Sequence, residues 1–395
     1  MNAAQPTDLF PSVKGGNASN LWYWGIDNMF PMHLEILARR NAIHRGIMNS
    51  KADYISGRGF TYDDANPALD RFVKRCNGTQ SLRDVIEGIV FDRVLTGNYF
   101  LEIAIKGNDV LLFHQDATRC RLSKPNEGGD SEVIISLDWD AHNAAYDKTL
   151  PIFPKFAKDG DGVMRSCLHY ADYEPSFLHY GVPAYIAGLT SARVGFKTAN
   201  WNEQRIDNSF QLSGVLELAS DENEEAKLVE AVNRAKEKFA GKPGQVMFTV
   251  ANEAGSSKFT PIQSDNDGDW LNLHNVSKND MVTAHSWFIS LAGLDYTTGI
   301  SSDRMLNEYS VALSTIIEPE QAKLIEMLRS ILSLVGVDGE SLGFVNRAPI
   351  LVKPAYMKVW EARKADGMDY DENDPMQQVY LANLPQIGKV QIGNE

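Results

Sequence analysis

Two long stretches in the second half of the chain carry apolar residues at helical spacing. From about Val182 to Phe210 the repeat runs through Val182, Ile186, Leu189, Ala192, Phe196 and Ala199, with Thr190, Ser191, Lys197, Thr198, Asn202 and Gln204 opposite. From about Trp270 to Leu291 it runs through Trp270, Leu273, Val276, Ala284, Phe288 and Leu291. At about 1.5 Å per residue these predict rods roughly 35–43 Å long. One mild apolar stripe facing an uncharged polar side predicts packing between neighbours, not deep burial.

The segment between the rods, about 214–262, reads as strand–helix–strand. Gly214 to Leu218 is the first strand and Val246 to Val250 the second. Ser220 can cap a helix whose first turn is acidic (Asp221, Glu222, Glu224, Glu225) and whose last turns are basic (Arg234, Lys236, Lys238), as the helix dipole favours. Gly241 and Pro243 stop it. Such a module buries little surface alone and needs neighbours to be stable.

The first half predicts one α+β domain over 31–180. Pro31 opens a helix running to about Tyr54, and Ser81 caps a second that ends at Gly97-Asn98. Tyr99 to Ile105 and Val110 to Phe113 alternate as a hairpin across Lys106-Gly107-Asn108-Asp109, and further strands are expected at Glu132 to Leu137 and Val163 to Tyr170. Ahead of this domain lies an arm, 1–30, whose Leu21, Trp22, Tyr23 and Trp24 suit docking on its own body or on a neighbouring subunit. A third helix begins near Asp303 and continues past Pro319, which predicts a kink at Glu318-Pro319. The tail from 341 shows one strand candidate, Ala348 to Val352, and an end of disordered composition.

Charge narrows the function classes. The 38 basic and 52 acidic residues give a net charge of −14, which disfavours static nucleic-acid binding but suits a surface that DNA passes without sticking. Cys76, Cys120 and Cys167 form no CxxC pair and predict reduced thiols in an intracellular setting. Neither a membrane span nor a signal peptide is expected.

Candidate chemistry is sparse, and no catalytic residue, metal ligand or cofactor is assigned. Gly241-Lys242-Pro243 lacks the Ser/Thr of a phosphate-binding loop, which disfavours an ATPase motor, and no HExxH or GxSxG occurs. Cys167 and His169 lie two apart on a strand without a second pair at zinc spacing. His274 and His285 are about three turns apart on the second rod, too far to share a ligand. Asp265, Asp267 and Asp269 suit a helix N-terminus better than a cation loop, though a metal-dependent DNA-processing enzyme stays open as an alternative.

The order of these parts resembles the portal proteins of tailed bacteriophages, in particular the HK97-like and prophage-type branch. The resemblance rests on Val94-Leu95-Thr96-Gly97-Asn98-Tyr99-Phe100-Leu101-Glu102-Ile103, on Tyr180-Gly181-Val182-Pro183, on Asp280-Met281 through Ala284-His285 with Leu291-Ala292-Gly293-Leu294, and on Glu318-Pro319-Glu320-Gln321-Ala322-Lys323-Leu324. Trp287-Phe288-Ile289 departs from the family's Val-Pro-Pro, so the second rod is free to run on into the next loop.

The resemblance implies a wing at 31–180, a first stem helix at 181–211, a clip at 212–265 and a second stem helix at 266–292. A tunnel loop at 293–304, a kinked helix at 305–340 and a C-terminal region at 341–395 follow. It further implies a homo-oligomeric ring, a dodecamer in most of the family, at one capsid vertex of the virion, assembled in the host bacterial cytoplasm. Double-stranded DNA would pass its channel during packaging and ejection. Its partners would be the terminase large subunit, then the head–tail adaptor, and the major capsid protein. Within that reading Tyr296, Thr297, Thr298, Gly299, Ile300, Ser301, Ser302 and Arg304 are the candidate channel-facing residues, and an ordinary solvated connector is the plainer alternative. Glu224, Lys227, Arg234 and Lys238 are the candidate partner contacts of the clip, against a plain solvated face. A capsid or scaffold component that conducts no DNA is the remaining alternative.

Overall fold

The structure, a computed structural model, describes residues 20–140, 142–175, 177–207, 214–219, 229–230, 233, 247–251, 258–261, 267–294, 302–350, 357–365 and 368–381. The first predicted helix is two. Helix α1 (Phe30–Arg40) ends at Asn41, whose extended backbone starts α2 (Ala42–Ser56) and whose side chain accepts from the His44 amide. A residue that competes for backbone hydrogen bonds breaks an apolar repeat that otherwise reads as continuous. Strand β1 (Phe60–Thr61) and helix α3 (Pro67–Lys74) lead to α4 (Leu82–Thr96), which has the expected start: Ser81 and Asp84 form a reciprocal capping box.

Helix α4 lies against α2 and the main sheet, and Leu82, Val85, Ile86 and Ile89 are fully buried. That sheet has the order β3-β2-β8-β7, from β2 (Asn98–Lys106), β3 (Asp109–Gln115), β7 (Ala157–Lys158) and β8 (Met164–Ala171). The β2–β3 hairpin closes at Gly107-Asn108, with Lys106 opposite Asp109. A second antiparallel sheet joins β4 (Cys120–Leu122), β5 (Glu132–Ile135) and β6 (Lys148–Pro151). Strand β2 is buried on both faces, so its alternation in sequence does not mark a wet side. Its one carboxylate, Glu102, is 1% exposed and is held by Arg165 at 2.7 Å, Lys148 at 2.5 Å and Gln115 at 2.7 Å. A buried carboxylate needs that many partners.

The aromatic arm docks on its own body. Trp24 is fully buried and stacked on Tyr180 at 4.3 Å, while Trp22 stacks on His179 at 3.8 Å. Beneath them the buried Arg121 spends its guanidinium on the Asn28 side chain and on the carbonyls of Asn28, Thr118 and Cys120. The three cysteines are free and buried.

Both long helices depart from the pattern at the ends that meet the body: the first starts later and the second stops earlier than predicted. A short 3-10 turn (Ile186–Gly188) precedes α5 (Leu189–Asp207), because residues 181–185 are used as a tie to β2 and α4. Helix α6 (Asp267–Ala284) stops before His285. At 1.5 Å per residue their described parts span about 28 and 27 Å. Between them the described insert is a three-stranded sheet of order β10-β9-β11: β9 (Gly214–Ala219), a parallel β10 (Met247–Ala251) and an antiparallel β11 (Lys258–Pro261). The third strand was not predicted, since Lys258–Pro261 is only four residues long and ends on proline.

Helix α7 (Ser302–Ala312), a π-helical turn (Leu313–Ile317) and α8 (Glu318–Ser333) form the third helical run. The irregularity at Pro319 is therefore a widened turn just before it. Proline lacks an N–H and crowds the carbonyl four residues back, and a π turn relieves both. The predicted strand at Ala348–Val352 does not form over Ala348, Pro349 and Ile350. The strand is instead β12 (Gly343–Phe344), paired with β1. A short helix α9 (Val359–Ala365) follows, and the tail beyond Leu381 lies outside the described residues. No helix among the described residues is long and apolar enough to cross a membrane.

Gly97 ends α4 at φ +73°, and a Cβ there would stand 2.4 Å from the Val182 carbonyl oxygen. Gly97→Ala is expected to lower stability by about 2–4 kcal/mol through backbone strain and that clash. Gly107, at φ +63° with open space around it, should accept asparagine within about 1 kcal/mol. Urea denaturation of the two variants measures both; equal losses would refute this account of Gly97.

Candidate functional site

The stretches that carry the portal resemblance converge where the two long helices leave the body. Asn98, which follows the Gly97 cap, donates from Nδ2 to the Thr96 and Gly181 carbonyls, and its Oδ1 accepts from the Gly181 amide at 2.7 Å. The start of β2 and the approach to α5 are thus one clasp. Tyr180 completes it, donating to the Trp22 carbonyl and accepting from the Leu122 amide. Tyr185 then donates to the Leu95 carbonyl at 2.5 Å. His169, paired in sequence with Cys167 as a conceivable ligand set, is half-buried, with its ring stacked 4.5 Å from that of Phe100 and Nε2 against Asn98 Oδ1 at 3.1 Å. Burial lowers its pKa to about 4.

Helices α5 and α6 pack along each other through small and polar residues. Ser277 donates to the Ser191 carbonyl at 2.6 Å, Ser191 donates to Asp280 at 3.0 Å, and Gly188 lets the Ala284 methyl approach its backbone. Their bases are fixed to α2. Asn41 Nδ2 donates to the Ala192 carbonyl at 2.8 Å, and His44 Nδ1 lies 2.9 Å from His285 Nε2. Tyr185 stacks on His285 at 4.5 Å and meets His44 edge-on at 4.6 Å. Both imidazoles are buried, and His44 Nε2 has no partner among the described residues. Donation from His44 Nδ1 leaves a bare acceptor at Nε2, cheaper than an unsatisfied buried N–H. Burial, with a smaller push from Arg45, lowers His44 to about 4; burial, His44 and Lys51 lower His285 to about 2.

Beyond His285 the chain makes a compact turn instead of continuing the helix. Ser286 has φ +49°, which ends the helical path. Lys51 donates to the His285 carbonyl at 2.8 Å, Trp287 Nε1 reaches Ser50 Oγ at 3.1 Å, and Ser50 donates to the Leu291 carbonyl at 2.8 Å. On the other side the Ser290 amide and hydroxyl both donate to Glu308 on α7. So across Trp287-Phe288-Ile289, side-chain hydrogen bonds from α2 and α7 set the course of the turn.

These contacts frame the candidate loop without describing its tip. Tyr296, Thr297, Thr298, Gly299, Ile300 and Ser301 lie outside the described residues, as do Glu224, Lys227, Arg234 and Lys238 of the insert. Ser302 is the first residue of α7, and Arg304 on that helix pairs with Glu308 at 2.8 Å with its side chain 48% exposed. Asp267 and Asp269 stand in the first turn of α6, and Asp265 is outside the described residues. Sequence reasoning missed Asn41, His44, Ser50 and Lys51. The one available signal was Asn41 three residues before His44, an N-cap spacing inside an apparently continuous helix.

An α+β body, a packed pair of long helices leaving it, a small sheet between them and a π-interrupted helix define the class of fold. No protein-family model matches the chain, and no curated protein matches it. Among solved structures it is similar to a chain in the neck of an empty gene transfer agent (GTA) particle computed with C6 symmetry, with TM-score 0.55 and 14% identity over 86% of this chain and 94% of that one. It is also similar to a chain in the neck of the native GTA particle computed with C12 symmetry, with TM-score 0.53 and 15% identity over 86% and 95%. An HK97-family phage portal protein from Corynebacterium diphtheriae aligns at TM-score 0.46 and 10% identity over 80% and 96%, a score that carries no argument. At these identities the likeness establishes the fold.

The buried histidine pair makes stability depend on pH. Each ring is held below its ordinary pKa of 6.5, so the unfolded chain takes up the protons first. The stabilisation is complete above about pH 6.5 and falls as the pH drops towards about 4, by roughly 3 kcal/mol for His44 alone. His44→Gln should flatten that slope while costing about 1–3 kcal/mol at pH 7.5. Denaturation curves between pH 4.5 and 8 check it, and an unchanged slope in the variant would exclude His44 as the source.

Proposed function

We propose that this chain is the subunit of a portal: a ring of identical copies at one capsid vertex of a phage-like particle, through which double-stranded DNA enters and leaves. The observation that carries this reading is fold likeness to neck-particle chains across 86% of this chain and nearly all of theirs. The portal motifs support it, because Gly97-Asn98 and Tyr180-Gly181 grip each other and His285 seats the base of α6.

In this reading the wing is 31–180, α5 and α6 are the stem helices of the spans 181–211 and 266–292, and the insert 212–265 is the clip. The kinked helix of 305–340 begins within α7, and the arm 1–30 and the region 341–395 flank the whole. The polar contact between α5 and α6, through serine, glycine and alanine, is what helices need when further faces are reserved for neighbouring copies. The ring is a dodecamer that resides in the virion after assembly in the host cytoplasm. It works as a structural conduit, not an enzyme, with a separate ATPase, the terminase large subunit, supplying the energy. Terminase and then the head–tail adaptor dock on the clip through Glu224, Lys227, Arg234 and Lys238, and the wing meets the major capsid protein. An overall charge of −14 lets a polyanion slide.

The turn pinned by Ser50, Lys51 and Glu308 is the root of the tunnel loop, 293–304, and Tyr296 to Ser302 with Arg304 narrow the channel. Negative-stain images of the purified protein should show rings with a central hole; a monomer at every concentration and salt would refute the reading. Deletion of Thr297 to Ser301 should leave rings intact and lower DNA packaged per particle at least tenfold. Packaging at the wild-type level would remove the loop from the channel.

A further inference from the structure

The clasp, the stem base and the π-interrupted helix enclose a cavity of about 430 Å³, within the roughly 300–1,000 Å³ of small-ligand sites. Its apolar wall includes Ile55, Ile89, Val94 and Leu324, and Tyr99 and Tyr185 add aromatic faces. Three cations and three anions line it, and nearly all of this charge is internally matched. Arg93 donates to Asp172 from Nε at 3.1 Å and from a terminal nitrogen at 2.7 Å, and its other terminal nitrogen meets Glu320. Lys323 pairs with Glu320 at 3.0 Å. Glu174 is exposed at the edge, where water solvates it.

Lys51 is the exception. Its ammonium has three protons, and one goes to the His285 carbonyl at 2.8 Å. No carboxylate among the described residues pairs with it; the nearby Asp172 is bound instead to Arg93 through both of its oxygens. We propose that this cavity is a binding site for a single carboxylate attached to a small apolar body, with Lys51 Nζ as its charged partner and the tyrosine and aliphatic wall holding the body. One unmatched positive charge calls for one negative charge, which a single carboxylate supplies. Burial, reinforced by Arg93 and opposed by Asp172, lowers the Lys51 ammonium to about 8, the response of a cation short of a counter-ion. The carboxylate arrives either as a free organic acid or as an acidic side chain of an adjoining copy; the second source rests on the ring reading and the first does not. In either case the occupant touches α2, α4, α8 and both approaches to the stem at once, so it ties their positions together.

Acetylation of Lys51 by an N-hydroxysuccinimide ester at pH 8, read by peptide mass spectrometry on the intact protein, tests this. On dissociated monomer, 10 mM benzoate should slow labelling of Lys51 at least threefold, leaving the exposed Lys74 unchanged, while neutral benzamide has no effect. Assembled rings without added acid should show the same protection if a neighbour supplies the carboxylate. Protection in either arm supports the site, and the arm identifies the source. No protection in both, or equal protection by benzamide, overturns it. If rings never form, the ring reading fails by itself and the benzoate arm still decides the site.

Discussion

Two neutral imidazoles sharing one hydrogen bond hold the base of the long helices to the body. His44 and His285 are 241 residues apart in sequence and 2.9 Å apart in space. Around them α2 offers Asn41, Ser50 and Lys51 to the Ala192, Leu291 and His285 carbonyls. Buried polar groups are costly when unmatched, and only one register of α5, α6 and the following turn matches all of these at once. Apolar contacts alone would tolerate a slide by part of a turn. The polar set gives this junction a single geometry.

The same logic recurs where the body meets the π-interrupted helix. Arg93, at the end of α4, reaches both Asp172 beyond β8 and Glu320 on α8, and stacks over Tyr170 at 4.6 Å. Gln321 on α8 donates to the Ile55 carbonyl at 3.0 Å and exchanges hydrogen bonds with Asn346. Helix α2 is therefore a shared floor: its polar residues fix the bases of α5 and α6, and its C-terminal end fixes the π-interrupted helix. The α5 and α6 bases and the π-interrupted helix are thus all hydrogen-bonded to one helix, α2.

Much of this was legible in the chain. The Ser81 cap, the Gly97 stop, the Gly107-Asn108 hairpin and the irregularity at Pro319 each follow from a local rule, because capping, φ > 0 turns and the missing proline N–H act within a few residues. The stretches around Gly97-Asn98, Tyr180-Gly181 and His285 were legible as an ordered set, though not as contacts. What the chain hid was nonlocal. Asn41 interrupts an apolar repeat, Ser286 ends a helix that Phe288 and Leu291 seem in sequence to prolong, and Glu102 sits in a strand buried on both sides.

Local sequence by itself determined the main helices and the central hairpin, and the stops set by a cap, a glycine or a proline. Tertiary structure decided how far the long helices run, which histidine meets which, and that Lys51 keeps an unmatched charge inside a cavity. Those outcomes depend on partners up to 241 residues away in sequence, which periodicity within one segment cannot encode. They also depend on the desolvation of polar groups, a cost that exists only once the surrounding helices have closed over them.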